Sequence, residues 1–408
     1  MMNKKHIAIV GAGAAGLMAA EVLSSHDDVM VSVYEHKPTA ARKILMAGKT
    51  GLNISHAEPL DQFVSRYLVH DERLANYVQR FDANAIRAWM LGLGVESFVG
   101  STGRIFPTQM KASVLVRAWL NRLSEAGVAF YYRHGCIDVQ GTTLTLVQSD
   151  QKGEVIRQFS QDFDAVILAC GGGSHAKLGS DGAWQEWFDD EQLTPLYPSN
   201  VGVLKDWSSF IEPLYGQAIK RVKAWVQPQH SHQGDIIISH YGLESGLIYR
   251  LNHTMRQAMN QEGFVLHLDL LPDKSLDAII KIVQQNKKQS LNTVLKKLGL
   301  DKVKIAVLRE CTNKTDWSDF IKMANHIKDL SIKCTGFRPI DEAISTGGGV
   351  KWSCLDDDLQ CLHQAGLFCA GEMLDWDAPT GGYLLTACFA TGRAAAHGVL
   401  KFLDVKKS

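Results

Sequence analysis

The chain opens with a short continuous apolar run, residues 7–10, which breaks at a glycine-rich turn and resumes as an apolar segment of helical length, residues 17–24. A second short apolar run follows at residues 30–34. Strand, tight turn, helix and strand in that order predict a βαβ unit, because strands buried on both faces read as unbroken hydrophobic stretches. Within residues 82–94 and 111–126, Ile86, Trp89, Met90 and Leu93, then Val114, Leu115, Ala118, Trp119 and Leu123, fall at helical spacing. Residues 128–160 read as short strands around a glycine-containing turn. Residues 164–169 read as another buried parallel strand, running into Gly171, Gly172 and Gly173.

The rhythm changes after Trp187. Residues 194–271 alternate apolar and polar positions between turn signals and predict a β-rich insert. Residues 272–333 predict helices. From Gly347 the glycine-rich α/β character returns. Near the end a short apolar strand (Leu367, Phe368, Cys369, Ala370) enters Gly371 and the acid Glu372. Gly381 and Gly382 then open a long amphipathic helix with Leu384, Leu385, Cys388 and Phe389 on its apolar side. The expected fold class is therefore α/β, a Rossmann-like nucleotide-binding domain interrupted by a large insertion. Its parts are expected at residues 1–190, 191–271 (β-rich), 272–335 (helical) and 336–408.

Composition narrows the functional classes. The 408 residues are 46% hydrophobic and 21% charged with a formal net charge of zero, so nothing global advertises nucleic acid or anionic lipid. Residues 272–333 depart from this balance, with 12 lysines and one arginine against seven acids, a net +6 that leaves RNA as a candidate partner. The eight cysteines form no CxxC pair and no zinc-like cluster, so no metal is expected and a reducing, cytoplasmic location is. Residues 1–23 mimic a signal peptide, but the glycines and Glu21 break the apolar run. No other segment has the roughly 18 uninterrupted apolar residues of a membrane span.

The candidate chemistry is concentrated in glycine-rich segments. In VGAGAAG, Gly11 permits a tight turn, Gly13 lets a pyrophosphate approach the backbone beside Ala14 and Ala15, and Gly16 lets helix and strand pack closely. Glu35 ends the second strand, where an acid accepts hydrogen bonds from ribose hydroxyls and favours an unphosphorylated adenosine, as in FAD or NAD. Glu372 is placed to bind sugar-like hydroxyls such as a ribityl chain, and the helix start at Gly381, Gly382, Tyr383 and Leu384 offers free N–H groups to a negatively charged ring. Residues 43–55 supply Lys43, Gly48, Lys49 and Asn53. Residues 169–182 (with Gly171), 345–349 and 103–107 complete six glycine-rich loops expected at strand ends, where open α/β sheets hold ligands. There is no GxxxxGK[ST] phosphate loop, no second GxGxxG for a separate NAD(P)H domain, and no redox CxxC.

Across nearly its whole length the chain resembles the HI0933-like (BaiN/RdsA) family of FAD-dependent oxidoreductases. Residues 366–393 (GLFCAGEMLDWDAPTGGYLLTACFATGR) and 238–251 (ISHYGLESGLIYRL) carry the resemblance, supported by residues 103–107, 171–182 and 267–273. The resemblance implies an FAD domain built from both chain ends, an inserted β-barrel-like part and a small helical part. It implies FAD contacts from Gly11, Gly13, Gly16, Glu35, Gly371, Glu372 and the turn from Gly381 to Leu384. It also implies hydride transfer between flavin N5 and a substrate, with NADH or NADPH as candidate reductants. Branches of the family reduce activated C=C bonds, including uracil in RNA, or oxidise amines, so a small-molecule enzyme, an RNA-modifying enzyme and a non-catalytic FAD-binding protein all stay open. The family's SGGGRCN loop reads Ala47, Gly48, Lys49, Thr50, Gly51, Leu52 and Asn53 here, so no cysteine proton donor is available at that point. Arg104, His240, Tyr241 and Lys49 are the candidate substrate contacts.

Overall fold

The computed structural model describes residues 4–48, 51–69, 71–286 and 288–405. Contacts divide the chain into two compact units, one running to Tyr197 and resuming at Ser345, the other spanning Pro198–Ile344.

The first unit is organised by a five-stranded sheet in the order Leu367–Cys369, Ala165–Leu168, Lys5–Val10, Val29–Glu35, Ala129–Tyr132. All four pairings are parallel. Ile9 lies opposite Val33 on one side and Ile167 on the other. Ile7, Ala8 and Ile9 are wholly buried, as are all four residues of Ala165–Leu168, which is why these strands appear as unbroken apolar runs. The last strand of this mixed α/β, Rossmann-type unit comes from the far end of the chain.

Helix Ala14–Leu23 packs on helix Tyr383–Phe402. Their approach is close enough that a Cβ at Gly392 would lie 2.3 Å from the Ala15 carbonyl oxygen. The C-terminal helix is amphipathic only at its edges: Phe389, Ala390, Ala395, Ala396 and Val399 are all buried, so most of its circumference is core.

Two glycine-rich segments expected as loops are strands. Ser345–Val350 is buried throughout and pairs in a two-stranded sheet with Leu193–Ser199. Its glycines let other chain segments approach, since a Cβ at Gly347 would lie 2.2 Å from the Tyr197 ring and one at Gly348 2.4 Å from the Pro195 carbonyl oxygen. Arg104–Pro107 is the central strand of a three-stranded antiparallel sheet with Ser55–His56 and Ser97–Val99.

The second unit contains a seven-stranded sheet. Its two end strands, Leu330–Cys334 and Gly336–Phe337, are separated only by Thr335, and the first pairs with Phe264–Asp269 while the second pairs with Val203–Leu204. One bent segment therefore closes the sheet on itself, which gives the barrel-like part and removes free edges. Helices Leu276–Gln285, Leu291–Leu298, Lys302–Glu310 and Phe320–Lys328 begin at Ser275, Ser290, Asp301 and Asp319, each of which accepts a backbone N–H.

Two boundaries differ from the sequence expectation. Gly246–Ala258, inside the stretch read as β-rich, is a helix capped by Ser245, with Leu247, Ile248, Leu251 and Met255 buried at helical spacing. The helical stretch ends earlier than expected, because Leu330–Cys334 is recruited as a strand. Among the described residues no helix is long and apolar enough to cross a membrane.

Candidate functional site

The first strand ends at Gly11, whose φ of +101° is open to glycine and whose N–H donates to the Tyr34 carbonyl at 2.8 Å. A Cβ on Gly16 would stand 1.9 Å from the Gly11 carbonyl oxygen, so this pair fixes how tightly helix Ala14–Leu23 follows the strand. Gly13 is the N-cap of that helix, and a Cβ there would meet nothing within 4 Å. Packing does not demand glycine at this position; the open space in front of it is where a ligand's pyrophosphate would meet the backbone. Neither a capping side chain nor an acid occupies the helix's first turn, which leaves its N–H groups for an anion. Ala14 and Ala15 begin the helix, with Ala15 buried beneath Gly371 and Gly392.

Glu35 is 9% exposed. Its Oε2 accepts from Ala12 N–H at 3.0 Å and its Oε1 from Lys37 N–H at 2.9 Å. His36 Nδ1 also lies 3.4 Å from Oε1; a carboxylate has about four lone-pair sites, so acceptor capacity remains for the hydroxyls of a ribose. The carboxylate lines a cleft of about 310 Å³ together with Gly11, Gly13, Lys43, Gly171 and Trp184. That volume lies at the small end of ligand sites and suits a nucleoside.

Glu372 is tied to the cleft through Lys43, which lines it. Its Oε1 accepts from Thr346 N–H at 3.0 Å, and its Oε2 meets the Lys43 ammonium at 2.7 Å. Lys43 Nζ also donates to Ser174 Oγ at 3.0 Å and Ser180 Oγ at 3.3 Å. Gly371, with φ at +86°, donates its N–H to Thr391 Oγ1 at 3.0 Å. Gly171, at φ +76°, accepts the Trp184 indole N–H at 2.8 Å.

The C-terminal helix starts where Gly382, at φ +95°, would place a Cβ 2.4 Å from Ser55 Cα. Its first turn likewise has no side-chain cap and no acid. Asn53, two residues before Ser55, has its Oδ1 buried without a hydrogen-bond partner among the described residues. A buried acceptor awaiting a donor suits an N–H of a bound ring. Together with the open space at Gly13 and the free lone pairs of Glu35, it shows a donor and acceptor set that fits FAD.

Other expected residues are placed differently. A Cβ at Gly48 would lie 2.3 Å from Ala112 Cβ, so helix packing alone accounts for that glycine. Leu52, where the family carries cysteine, is wholly buried as core. Lys49 lies outside the described residues. Arg104 is exposed and sits cross-strand from His56, whereas His240 and Tyr241 belong to the other unit. The Tyr241 hydroxyl donates to Glu244, and the Arg338 guanidinium lies 4.5 Å from its ring centroid. Burial and then the Glu244 hydrogen bond raise the phenol's pKa, which makes it a poor acid at neutral pH.

Sequence reasoning missed the hydroxyls of Ser174, Ser180 and Thr346, although all three stand within the glycine-rich segments 169–182 and 345–349. It also missed a cluster beside the C-terminal helix start. Tyr383 donates its hydroxyl to Glu58, Arg66 pairs with Glu58 at 2.9 Å, and the His56 ring stacks on Tyr383 at 5.6 Å. Burial pushes the Glu58 pKa up, but the Arg66 and Tyr383 hydrogen bonds outweigh it and the net shift is downward. Of the charges behind the +6 of residues 272–333, Lys304 donates to the Leu270 carbonyl and Lys328 pairs with Asp269, so both are spent inside the unit.

Residues 5–398 match the family described as HI0933-like protein Rossmann domain. The chain is 27% identical over 426 residues to the 3-dehydro-bile acid delta(4,6)-reductase of Clostridium scindens, covering 97% of this chain and 100% of that one. Its fold is similar to 3-ketosteroid delta1-dehydrogenase from Sterolibacterium denitrificans in complex with 1,4-androstadiene-3,17-dione, with a TM-score of 0.52, 13% identity, and 98% of this chain and 100% of that chain covered. It is also similar to the open conformation of a flavocytochrome c3 fumarate reductase, with a TM-score of 0.50, 13% identity, and coverage of 98% and 78%. At such identities the likeness is one of fold. With a parallel sheet completed by both chain ends and a match running almost from one end to the other, the chain belongs to the HI0933-like family of FAD-dependent oxidoreductases.

Proposed function

We propose that this enzyme reduces an activated carbon–carbon double bond of a small molecule, with NADH or NADPH as the source of electrons. FAD, when bound, supplies the hydride at its N5 position. The remaining work is done by the chain's own residues. Gly13 and the first turn of helix Ala14–Leu23 hold the pyrophosphate, and Glu35 holds the adenosine ribose. Glu372, paired with Lys43, takes hydroxyls of the ribityl chain. Asn53 Oδ1 and the uncapped amides at the start of helix Tyr383–Phe402 orient the ring and favour negative charge there.

The observation that carries this reading is a pair of carboxylates pinned by backbone N–H groups, Glu35 by Ala12 and Lys37 in the glycine-lined cleft and Glu372 by Thr346, with Lys43 lining that cleft and pairing with Glu372. Reduction is favoured as the direction because the relative from Clostridium scindens is named a reductase. The eight free thiols, with Cys136 and Cys170 lining the adenosine cleft, suit a reducing compartment such as the cytoplasm.

The test is anaerobic. Purified protein is expected to be yellow, to release FAD rather than FMN on denaturation, and to lose its visible flavin absorbance when mixed with NADH or NADPH. Adding a panel of α,β-unsaturated carbonyl compounds is expected to restore the colour with at least one of them. A colourless protein that cannot be reconstituted with FAD removes the cofactor assignment. A reduced flavoprotein that reoxidises no faster with any panel member than in buffer removes the substrate class.

A further inference from the structure

The C-terminal helix borders a second cavity that shares no residue with the adenosine cleft. It measures about 160 Å³. Ala390, Arg393, Ala394 and His397 line it from one stripe of the helix, and the two alanines leave the hollow. Tyr77, Arg80 and Phe81 face it from the end of helix Arg73–Arg80, and the turn carrying Asp357 and Asp358 closes it.

Neither of its two arginines forms an ion pair with a described residue. The Arg393 guanidinium lies 4.5 Å from the Phe81 ring centroid and makes no hydrogen bond or ion pair with any described residue. Desolvation holds its pKa below the usual guanidinium range, with only a distant attraction from Glu21 working against it. The Glu21 carboxylate is already engaged by Arg122 and by the Trp119 indole N–H. Asp358 is engaged by Lys401. Arg80 and Asp357 are exposed and have no ion pair among the described residues. A half-buried guanidinium that lies on an aromatic face and donates to no described protein acceptor keeps its five N–H groups for an anion that enters the hollow.

We propose that this cavity binds a small hydroxylated phosphate monoester, its phosphoryl group held by Arg393 and Arg80 and a hydroxyl of its organic part donated to Asp357. Two guanidinium forks from two helices converge on one hollow, which matches the several oxygens of a phosphoryl group better than a flat carboxylate. The volume admits a phosphoryl group with a few carbon atoms. The lone carboxylate of Asp357 would repel bare phosphate and reward a ligand that brings a hydroxyl.

The experiment is calorimetric titration of the FAD-loaded protein with glycerol 3-phosphate and, separately, with inorganic phosphate, using sodium chloride at matched ionic strength as the control. One saturable site is expected, tighter for the ester. Arg393→Gln is expected to weaken it by at least about tenfold, the loss of charge-assisted hydrogen bonds. Asp357→Asn is expected to weaken the ester alone. If Arg393→Gln does not yield a folded flavoprotein, Arg80→Gln at an exposed position carries the same test. No saturable heat from either probe, the same heat from sodium chloride, or undiminished binding in the arginine variants overturns the site. Equal affinity for both probes overturns the hydroxyl contact at Asp357.

Discussion

Replacing Glu35 separates what its carboxylate does for the cofactor from what it does for the fold. In Glu35→Ala the carboxylate's remaining acceptor capacity toward the cleft is lost, and with it the ribose hydrogen bonds. Hydrogen bonds to a charged acceptor contribute about 1.5–3 kcal/mol. The FAD dissociation constant should therefore rise about 10- to 150-fold, since every 1.4 kcal/mol is roughly a factor of ten. The same substitution strips the Ala12 and Lys37 N–H groups of their acceptor. An orphaned buried donor costs about 1–3 kcal/mol, so the apoprotein should also melt earlier. Glu35→Gln keeps one carbonyl oxygen, and it should retain more apoprotein stability than Glu35→Ala while still losing much of the FAD affinity. Titration of apoprotein with FAD, read by flavin fluorescence, gives the first quantity. Thermal unfolding of apoprotein followed by circular dichroism gives the second. An unchanged FAD affinity in Glu35→Ala refutes the ribose contact. A lower affinity with an unchanged apoprotein transition refutes the part assigned to the backbone amides.

Three further outcomes are expected. Gly382→Ala puts a Cβ 2.4 Å from Ser55 Cα at a φ of +95°; it should cost more than the roughly 1–2 kcal/mol of left-handed strain alone, read as a lowered denaturant midpoint with reduced flavin retention. Lys43→Met leaves Glu372, with its side chain 12% exposed, without its cation; a loss of about 2–4 kcal/mol is expected, and the double variant Lys43→Met/Glu372→Leu should lose less than the two single changes added together, a cycle read by urea unfolding. Glu58 has its pKa held below the ordinary glutamate value in the folded state, so its stabilising contribution is complete above about pH 4.5 and is lost as the pH falls through the lower folded value; the melting temperature of Glu58→Gln should approach that of the parent on acidification, and a constant gap from neutral to acid pH would contradict this.

The proposed adenosine end of the site was legible in the chain because its parts are neighbours in sequence. Gly11, Gly13 and Gly16 follow a strand and open a helix, and Glu35 ends the next strand, so local spacing alone puts them together. The start of the C-terminal helix at Gly382 was legible for the same reason. Segments 345–349 and 103–107 were not: glycine content marks a loop or a strand under close approach equally well, and Tyr197 and Pro195 decide the first while pairing with Ser55–His56 and Ser97–Val99 decides the second. Helix Gly246–Ala258 was hidden inside alternating sequence because its buried face shows only once the unit's core is assembled.

Hydrophobic rhythm and glycine placement, acting over a few residues at a time, thus determined the βαβ opening, the insertion and the return to α/β. Tertiary structure alone decided the rest, because ion pairing and desolvation depend on distance in space. Lys43 and Glu372 are 329 positions apart and become a 2.7 Å pair only when the sheet brings strand Leu367–Cys369 alongside Ala165–Leu168. Closure of the inserted sheet likewise depends on one segment pairing at both of its ends. Arg393 reads as an ordinary helix residue until Phe81 covers it and no carboxylate arrives to meet it.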